Sequence, residues 1–412
     1  SMRRQVVFIS GHSVRKHERN GADRSTRCQW HRRVPHRSAS TAVDATSLRR
    51  FSCRPGGVWP VGLAGERDTL ACRAVSLSSC PLETRLSLEP SAAMCHLRTM
   101  LAILLTALAV LPPAGQLAAA EPEAAGSFSG ERAFAHLQAI CDIGPRPSGS
   151  TGMLKQRAMI VRHFEALGAT VTRQPFRIRD RRSGDAVAME NLIITFHPQR
   201  TERVMLCAHY DTRPFPDRDP VDPKGVFLGA NDGASGVAVL MELGRFMPSL
   251  PGDVGVDFVF FDAEEYVFDR RDPYFLGSIH FARRYVSHPP AHVYRYGVLL
   301  DMVGDEKLLL PQEQHSISWP ETRRLVDSIW QAAAEIGARE FLPRPGPTVE
   351  DDHIPLRTIA RIPTCDIIDF DYPHWHTTRD TPEHCSAASL ETVGRVMLSW
   401  LRGFDRGSRG QR

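Results

Sequence analysis

The chain has 412 residues, of which 42% are hydrophobic, 24% charged and 8% aromatic, with a formal net charge of +4. This composition excludes a disordered polyelectrolyte, a collagen-like fibre and a polytopic membrane protein. The average charge conceals two compositions, because residues 1–93 carry 16 Lys+Arg against 7 Asp+Glu while the remainder carries 35 against 40.

Residues 1–93 hold Cys28, Cys53, Cys72 and Cys80 and show no sustained apolar period of 3.6 or 2 residues. Their arginines are scattered, unlike the clustered cations of a nucleic-acid or targeting arm, so no nucleic-acid partner is expected. Residues 94–120 read as a secretory signal peptide. They have a short basic start from Met94 to Arg98, an apolar run from Leu101 to Leu111 and a small-residue end at Ala118 to Ala120. The run falls short of the ~20 residues that span a bilayer, so no stable membrane anchor is expected after cleavage. A signal peptide stands at an N-terminus. Residues 1–93 are therefore expected to be a non-native or disordered extension, with translation starting at Met94 or Met100 and a secreted or periplasmic product.

A low-complexity linker over 121–130 leads into a domain over 131–405, followed by a tail over 406–412. The domain's length suits a single α/β unit. Its cysteines, Cys141, Cys207, Cys365 and Cys385, show no CxxC spacing of a zinc knuckle or redox motif.

Apolar spacing predicts a helix over 131–142, ended by the turn-forming run from Gly144 to Ser150, and a second over 151–167 that stops at Gly168. Strands over 169–176 and 191–196 follow, with a hairpin turn over 179–184. Beyond them strands and helices alternate. Strands are expected over 203–208, 254–261, 296–300 and 364–368, and helices over 236–246, 276–285, 321–336 and 389–404. This order predicts an α/β fold with a mixed, mostly parallel central sheet and helices on both faces. In such sheets the ligand site lies beyond the carboxyl ends of the strands.

Polar residues stand at those ends. The first core strand runs into His209 and Asp211, the second into Asp262, Glu264 and Glu265, and the third into Asp301. A Gly-rich loop carries Asp232, and the segment after the last strand carries Trp375 and His376. Imidazoles and carboxylates gathered this way suit zinc. Consecutive residues beyond a strand point apart, so one of Glu264 and Glu265 can hold metal while the other moves protons. Taken alone, such a pair reads as a solvated loop; among similar strand ends it reads as a site. His163, His197, His280 and His292 lack convergent neighbours, and the segments 211–213 and 217–219 read as charged loops. Ser235 lacks the G-x-S-x-G elbow of a serine hydrolase. No GxGxxG follows a strand and no P-loop is present, which gives nucleotide binding no support.

Seven segments in order carry a resemblance: those at 208–211, 229–237, 260–265, 276–278, 299–302, 350–355 and 375–377. On them the chain resembles the M28 metallopeptidase superfamily, of zinc-exopeptidase-like (phosphorylase/hydrolase-like) fold, and within it the glutaminyl cyclases. The cyclase resemblance implies one zinc on Asp232, Glu265 and His376, with Glu264 as proton shuttle. Asp301 and Asp351 would share a hydrogen-bonded network, and Trp375 would pack on the substrate. The substrate implied is a peptide with a free N-terminal glutamine, converted to pyroglutamate with release of ammonia. The aminopeptidase resemblance implies two zincs, the second held by His209 and Asp301, with Asp232 bridging. Asp351, where aminopeptidases usually have a small hydroxyl residue, and Trp375, where they more often have Tyr, favour the cyclase. The Pro-rich insert over 213–224 matches neither pattern.

Overall fold

The computed structural model describes residues 126–408. The signal-peptide segment, the 1–93 extension with its four cysteines, and most of the linker lie outside the described residues. Helix α1 (Gly130–Cys141) starts at Ser129, whose hydroxyl accepts the Arg132 N–H, and buries Ala133, Leu137 and Ile140. Helix α2 (Thr151–Ala166) is capped in the same way by Ser150 and ends before Gly168 at φ 76°. The strands are β1 (Thr170–Arg179), β2 (Ala186–Phe196), β3 (Glu202–His209), β4 (Gly255–Phe261), β5 (Val293–Asp301) and β8 (Thr364–Ile368). They form one sheet in the order β1-β2-β4-β3-β5-β8. β1, β2 and β4 pair antiparallel, and β4, β3, β5 and β8 run parallel.

Every residue of β4 and β8 is buried, as expected of strands covered on both faces. Side-chain alternation divides the core. Leu206, Ala208, Phe258 and Leu300 face a cluster formed with α1, α2, α3 (Gly236–Gly244) and the last helix, α8 (Ala387–Ser408). Met205, Cys207, Val259 and Leu299 face a smaller cluster with Phe281 of α4 (Leu276–Ser287) and Leu356 of α7 (His353–Thr358). Helices α5 (Gln314–Ser318) and α6 (Pro320–Glu335) complete the chain order between β5 and β8. The four cysteines of the domain are buried and free.

The expected hairpin strands prove too short. β1 reaches Arg179 and β2 begins at Ala186, because Asp180 tightens the connection by accepting the Arg182 and Ser183 N–H groups. A second, two-stranded parallel sheet, β6 (Leu310–Gln312) with β7 (Phe341–Pro345), was not expected. Its strands are short and contain Pro311, Pro343 and Pro345, which erase a strand signal. Among the described residues no helix is long and apolar enough to cross a membrane.

The parallel strands place His209, Phe261, Asp301 and Ile368 on one edge of the sheet. β4 and β5 flank β3 on opposite sides, so the connections diverge there and open a crevice at the carboxyl ends.

Candidate active site

Three left-handed backbone turns shape the crevice. Ala263 (φ 61°) follows β4, Met302 (φ 47°) follows β5, and His376 itself lies at φ 56°. Such conformations cost a non-glycine residue of the order of 1–3 kcal/mol and persist where surrounding contacts over-determine them. After β3 the chain is held by Asp211, a fully buried residue whose two carboxylate oxygens accept the Glu264 and Glu265 N–H groups at 3.0 and 3.2 Å. The loop carrying Asp232 breaks helical geometry at Asp232 and Gly233 (φ 96°). A Cβ on Gly233 would lie 2.8 Å from the Asp211 carbonyl and 3.0 Å from the His209 ring, so only glycine fits. Buried Arg146 donates to the Leu228 and Gly229 carbonyls, and Asp380 accepts the Asn231 and Asp232 N–H groups.

These contacts bring the expected residues together. His376 Nε2 lies 3.2 Å from Glu265 Oε2 and 3.5 Å from Asp232 Oδ2. His209 Nε2 lies 3.2 Å from both Asp232 Oδ1 and Asp301 Oδ1. Donor atoms of Asp232, Glu265 and His376 fall within 4.8 Å of one another, as do those of His209, Asp232 and Asp301. Asp232 Oδ2 is buried without a hydrogen-bond partner, so its lone pairs remain open toward the nest. A nitrogen and two carboxylate oxygens converging on one point fit zinc. Glu265 reaches His376 and Glu264 Oε2 stands 4.0 Å from His209 Nδ1, yet donor atoms of His209, Glu264 and Glu265 also fall within 4.8 Å of one another.

Burial dominates the electrostatics. It pushes the Glu264 carboxyl well above the usual range, and Glu265, Asp351 and Asp352 push it further while His209 opposes. Asp351 is also raised well above its usual value, first by burial and then by Asp301. Asp232 goes the other way, since His209 and His376 outweigh its burial and hold the carboxylate charged. Asp301 and Asp351 have different hydrogen-bond partners. Asp351 Oδ1 accepts the Asp352 N–H at 2.6 Å and its Oδ2 has no partner, while Asp301 Oδ1 is taken by His209.

Trp375 is partly exposed beside His376, with ring centroids 4.2 Å apart, and the Arg218 guanidinium lies 3.7 Å over its ring. The segments read as charged loops therefore serve the site, which sequence reasoning missed. The Arg213 N–H donates to Glu265 Oε1 at 3.0 Å, Asp217 Oδ1 lies 3.1 Å from His376 Nδ1, and the Arg218 N–H donates to the His376 carbonyl. Asp211 was legible as a polar residue at the end of the first core strand, but its support of the Glu264 and Glu265 backbone was not. Asp380, far along the chain, offered no such signal. The histidines set aside take structural positions: His163 and His197 bond backbone carbonyls, His280 stacks on Phe176 and His292 packs against Tyr294. Ser235 donates to the Asn231 carbonyl and accepts the Val303 N–H, a structural pairing.

Comparison with known proteins agrees with this architecture. A crystal structure of Fimbriiglobus ruber glutaminyl cyclase is 41% identical with a TM-score of 0.64, covering 67% of this chain and 95% of that one. A leucine aminopeptidase precursor from Bacteroides thetaiotaomicron VPI-5482 is 31% identical with a TM-score of 0.62, covering 67% and 97%. The glutaminyl-peptide cyclotransferase of Bos taurus is 26% identical over 287 residues, 61% of this chain and 76% of that protein. The family model for peptidase family M28 matches residues 191–401, the stretch that supplies every buried acid and imidazole of the crevice, and the chain belongs to that family.

Proposed function

We propose that the protein is a zinc-dependent glutaminyl-peptide cyclotransferase, which converts the N-terminal glutamine of a peptide to pyroglutamate and releases ammonia. One observation carries the choice of reaction. Buried Asp351 has an unpartnered Oδ2, and burial and then the charge of Asp301 raise its proton affinity. A carboxyl that keeps its proton beside Asp301 suits proton handling near Glu264, which favours the cyclase reading over a second cation on Asp301.

In this reading Asp232, Glu265 and His376 would hold the zinc. Bound there, zinc supplies Lewis acidity toward a carboxamide oxygen. Glu264, whose buried setting raises its proton affinity, accepts a proton from the α-amine as the nitrogen attacks the γ-carboxamide carbon. It returns that proton to the departing amide nitrogen, so the carbon–nitrogen bond breaks with ammonia as leaving group and the ring closes. Asp351 keeps the proton affinity of Glu264 high, Asp301 in turn raises that of Asp351, and Trp375 packs on the substrate side chain. Export through the segment 94–120 belongs to the same reading.

A second reading, a di-zinc aminopeptidase, is favoured by the other nest of donors, His209, Asp232 and Asp301, and by the aminopeptidase relative. The deciding experiment pairs metal analysis of the purified protein with a Gln-peptide assay. The expected outcome is one tightly bound zinc per chain, ammonia release and a product lighter by one ammonia. Two zincs with release of free amino acids would overturn the proposal.

A further inference from the structure

The Pro-rich insert over 213–224 matches no expected pattern, yet it forms one wall of a cavity of about 620 Å³ that opens onto His376. The segment over 267–274 forms the other wall. Five cationic side chains line the cavity, Arg182, Arg213, Arg218, Lys224 and Arg270, against two carboxylates, Asp217 and Asp269. Both carboxylates are already engaged, Asp217 with Arg213 and His376, and Asp269 with Arg181 and Arg271. Arg182 and Arg213 are engaged as well, with Asp180 and with Glu265 and Asp217. Arg218, Lys224 and Arg270 have no ion pair among the described residues, and all three are exposed. The mouth of the site therefore presents three cations free of any ion pair among the described residues, above a floor of carboxylates.

Arg218 is the best placed of the three. Its guanidinium lies over Trp375, and its backbone N–H is fixed on the His376 carbonyl. A planar cation held flat on an indole keeps its N–H edge free to pair with a carboxylate. Phe215, Phe268 and Val267 add apolar surface to the same cavity, enough to seat the chain of a short peptide.

We propose that this cavity binds the substrate residues that follow the N-terminal glutamine, and that it selects peptides carrying a carboxylate there. This assignment rests on the cyclase reading above and deepens it. The carboxylate can be a side chain at the second or third residue or the C-terminus of a short peptide. Cations around a cleft raise the local concentration of an anionic substrate, and their contribution falls with salt.

The test compares kcat/KM for C-terminally amidated Gln-Glu-Ala, Gln-Ala-Ala and Gln-Lys-Ala, together with the free-acid form of Gln-Ala-Ala. The Glu peptide is expected to exceed the Ala peptide by roughly fivefold to tenfold, mainly through KM, with the Lys peptide slowest. A faster free acid than amide would identify the C-terminus as an accepted source of the carboxylate, and equality of those two would leave the side chain as the source. The Glu preference is expected to collapse at ~1 M salt, where the screening length is about 3 Å. Arg218→Glu is expected to invert the Glu-to-Lys order, and Arg270→Glu to diminish it. Arg270 makes no ion pair among the described residues and is exposed, so the second variant keeps the test open should Arg218→Glu fail to fold. A uniform fall across all peptides would assign Arg218 and Arg270 a structural role and overturn the proposal, as would equal rates for all peptides with the wild type. Turnover of no Gln-peptide would instead overturn the cyclase reading, and the subsite would fall with it.

Discussion

The two ends of the parallel sheet bury charge in different ways. At the amino ends, Arg203 and Asp257 form a bidentate pair at 2.7 and 3.0 Å. The remaining donors of Arg203 go to the carbonyls of Phe196, His197, Arg200 and Val256, and Tyr294 donates to Asp257 as well. At the carboxyl ends Asp232, Asp351, Asp352 and His209 keep buried polar atoms without hydrogen-bond partners, whereas beside the Arg203–Asp257 pair His292 Nε2 is such an atom. A fully satisfied buried charge holds a fold together, whereas unsatisfied ones gathered in a crevice are reserved for something that is not protein. The contrast is one of degree: unpartnered carboxylates gather in the crevice, and the amino-end pair is saturated.

The largest expected effect tests the functional end. Glu264→Gln should lower kcat by about 10²–10⁴-fold while zinc content and thermal stability stay at or above wild type, because a buried charge is removed and no ligand is lost. Measured turnover near wild type would remove Glu264 from its role, and a large loss of stability would erase the contrast between the two ends. The structural end should respond in the opposite sense. Arg203→Met strands Asp257 in a buried site and is expected to cost about 3–5 kcal/mol in chemical denaturation, with unchanged kcat for the molecules that remain folded.

The smallest effect concerns a group belonging to neither end. His136 on α1 packs edge-on against His163 of α2 with centroids 4.9 Å apart. Burial first, then His163, Arg245 and Arg132, lower its pKa to about 4. The folded state thus binds its proton less well than the unfolded chain, whose value is 6.5. Its contribution is intact above pH 6.5 and is lost as pH falls from there toward 4. His136→Gln should flatten that acid limb of a Tm–pH profile and leave the neutral Tm almost unchanged; an unaltered acid limb would assign the loss to other groups.

Much of the fold was legible because the core strands are short apolar runs ending in polar residues, buried on both faces as alternate side chains enter two clusters. The ligand candidates were legible for the same reason: Glu264, Glu265 and Asp301 follow runs such as that from Val256 to Phe261. What escaped was whatever depends on contacts between distant segments. Asp211 reads as one acid in a charged loop until the fold lays it under the backbone of Glu264, and Asp380 has no meaning before it meets the N–H groups of Asn231 and Asp232. The β6–β7 pair escaped because prolines mask so short a strand, and the hairpin strands were cut short because Asp180 makes their connection tighter than its polar composition suggests.

The insert over 213–224 is stitched to both ligand-bearing elements, through the Arg213 N–H on Glu265, Asp217 on His376 Nδ1, and Asp219 accepting the N–H and hydroxyl of Thr378. One segment therefore sets the orientation of a donor imidazole and also the character of the entrance above it. Sequence drift in this loop cannot change the entrance freely, since any shift of its backbone is transmitted to His376. Tolerated changes should concentrate in side chains that face the opening, such as those of Arg218 and Lys224, while the backbone path between them is inherited unaltered.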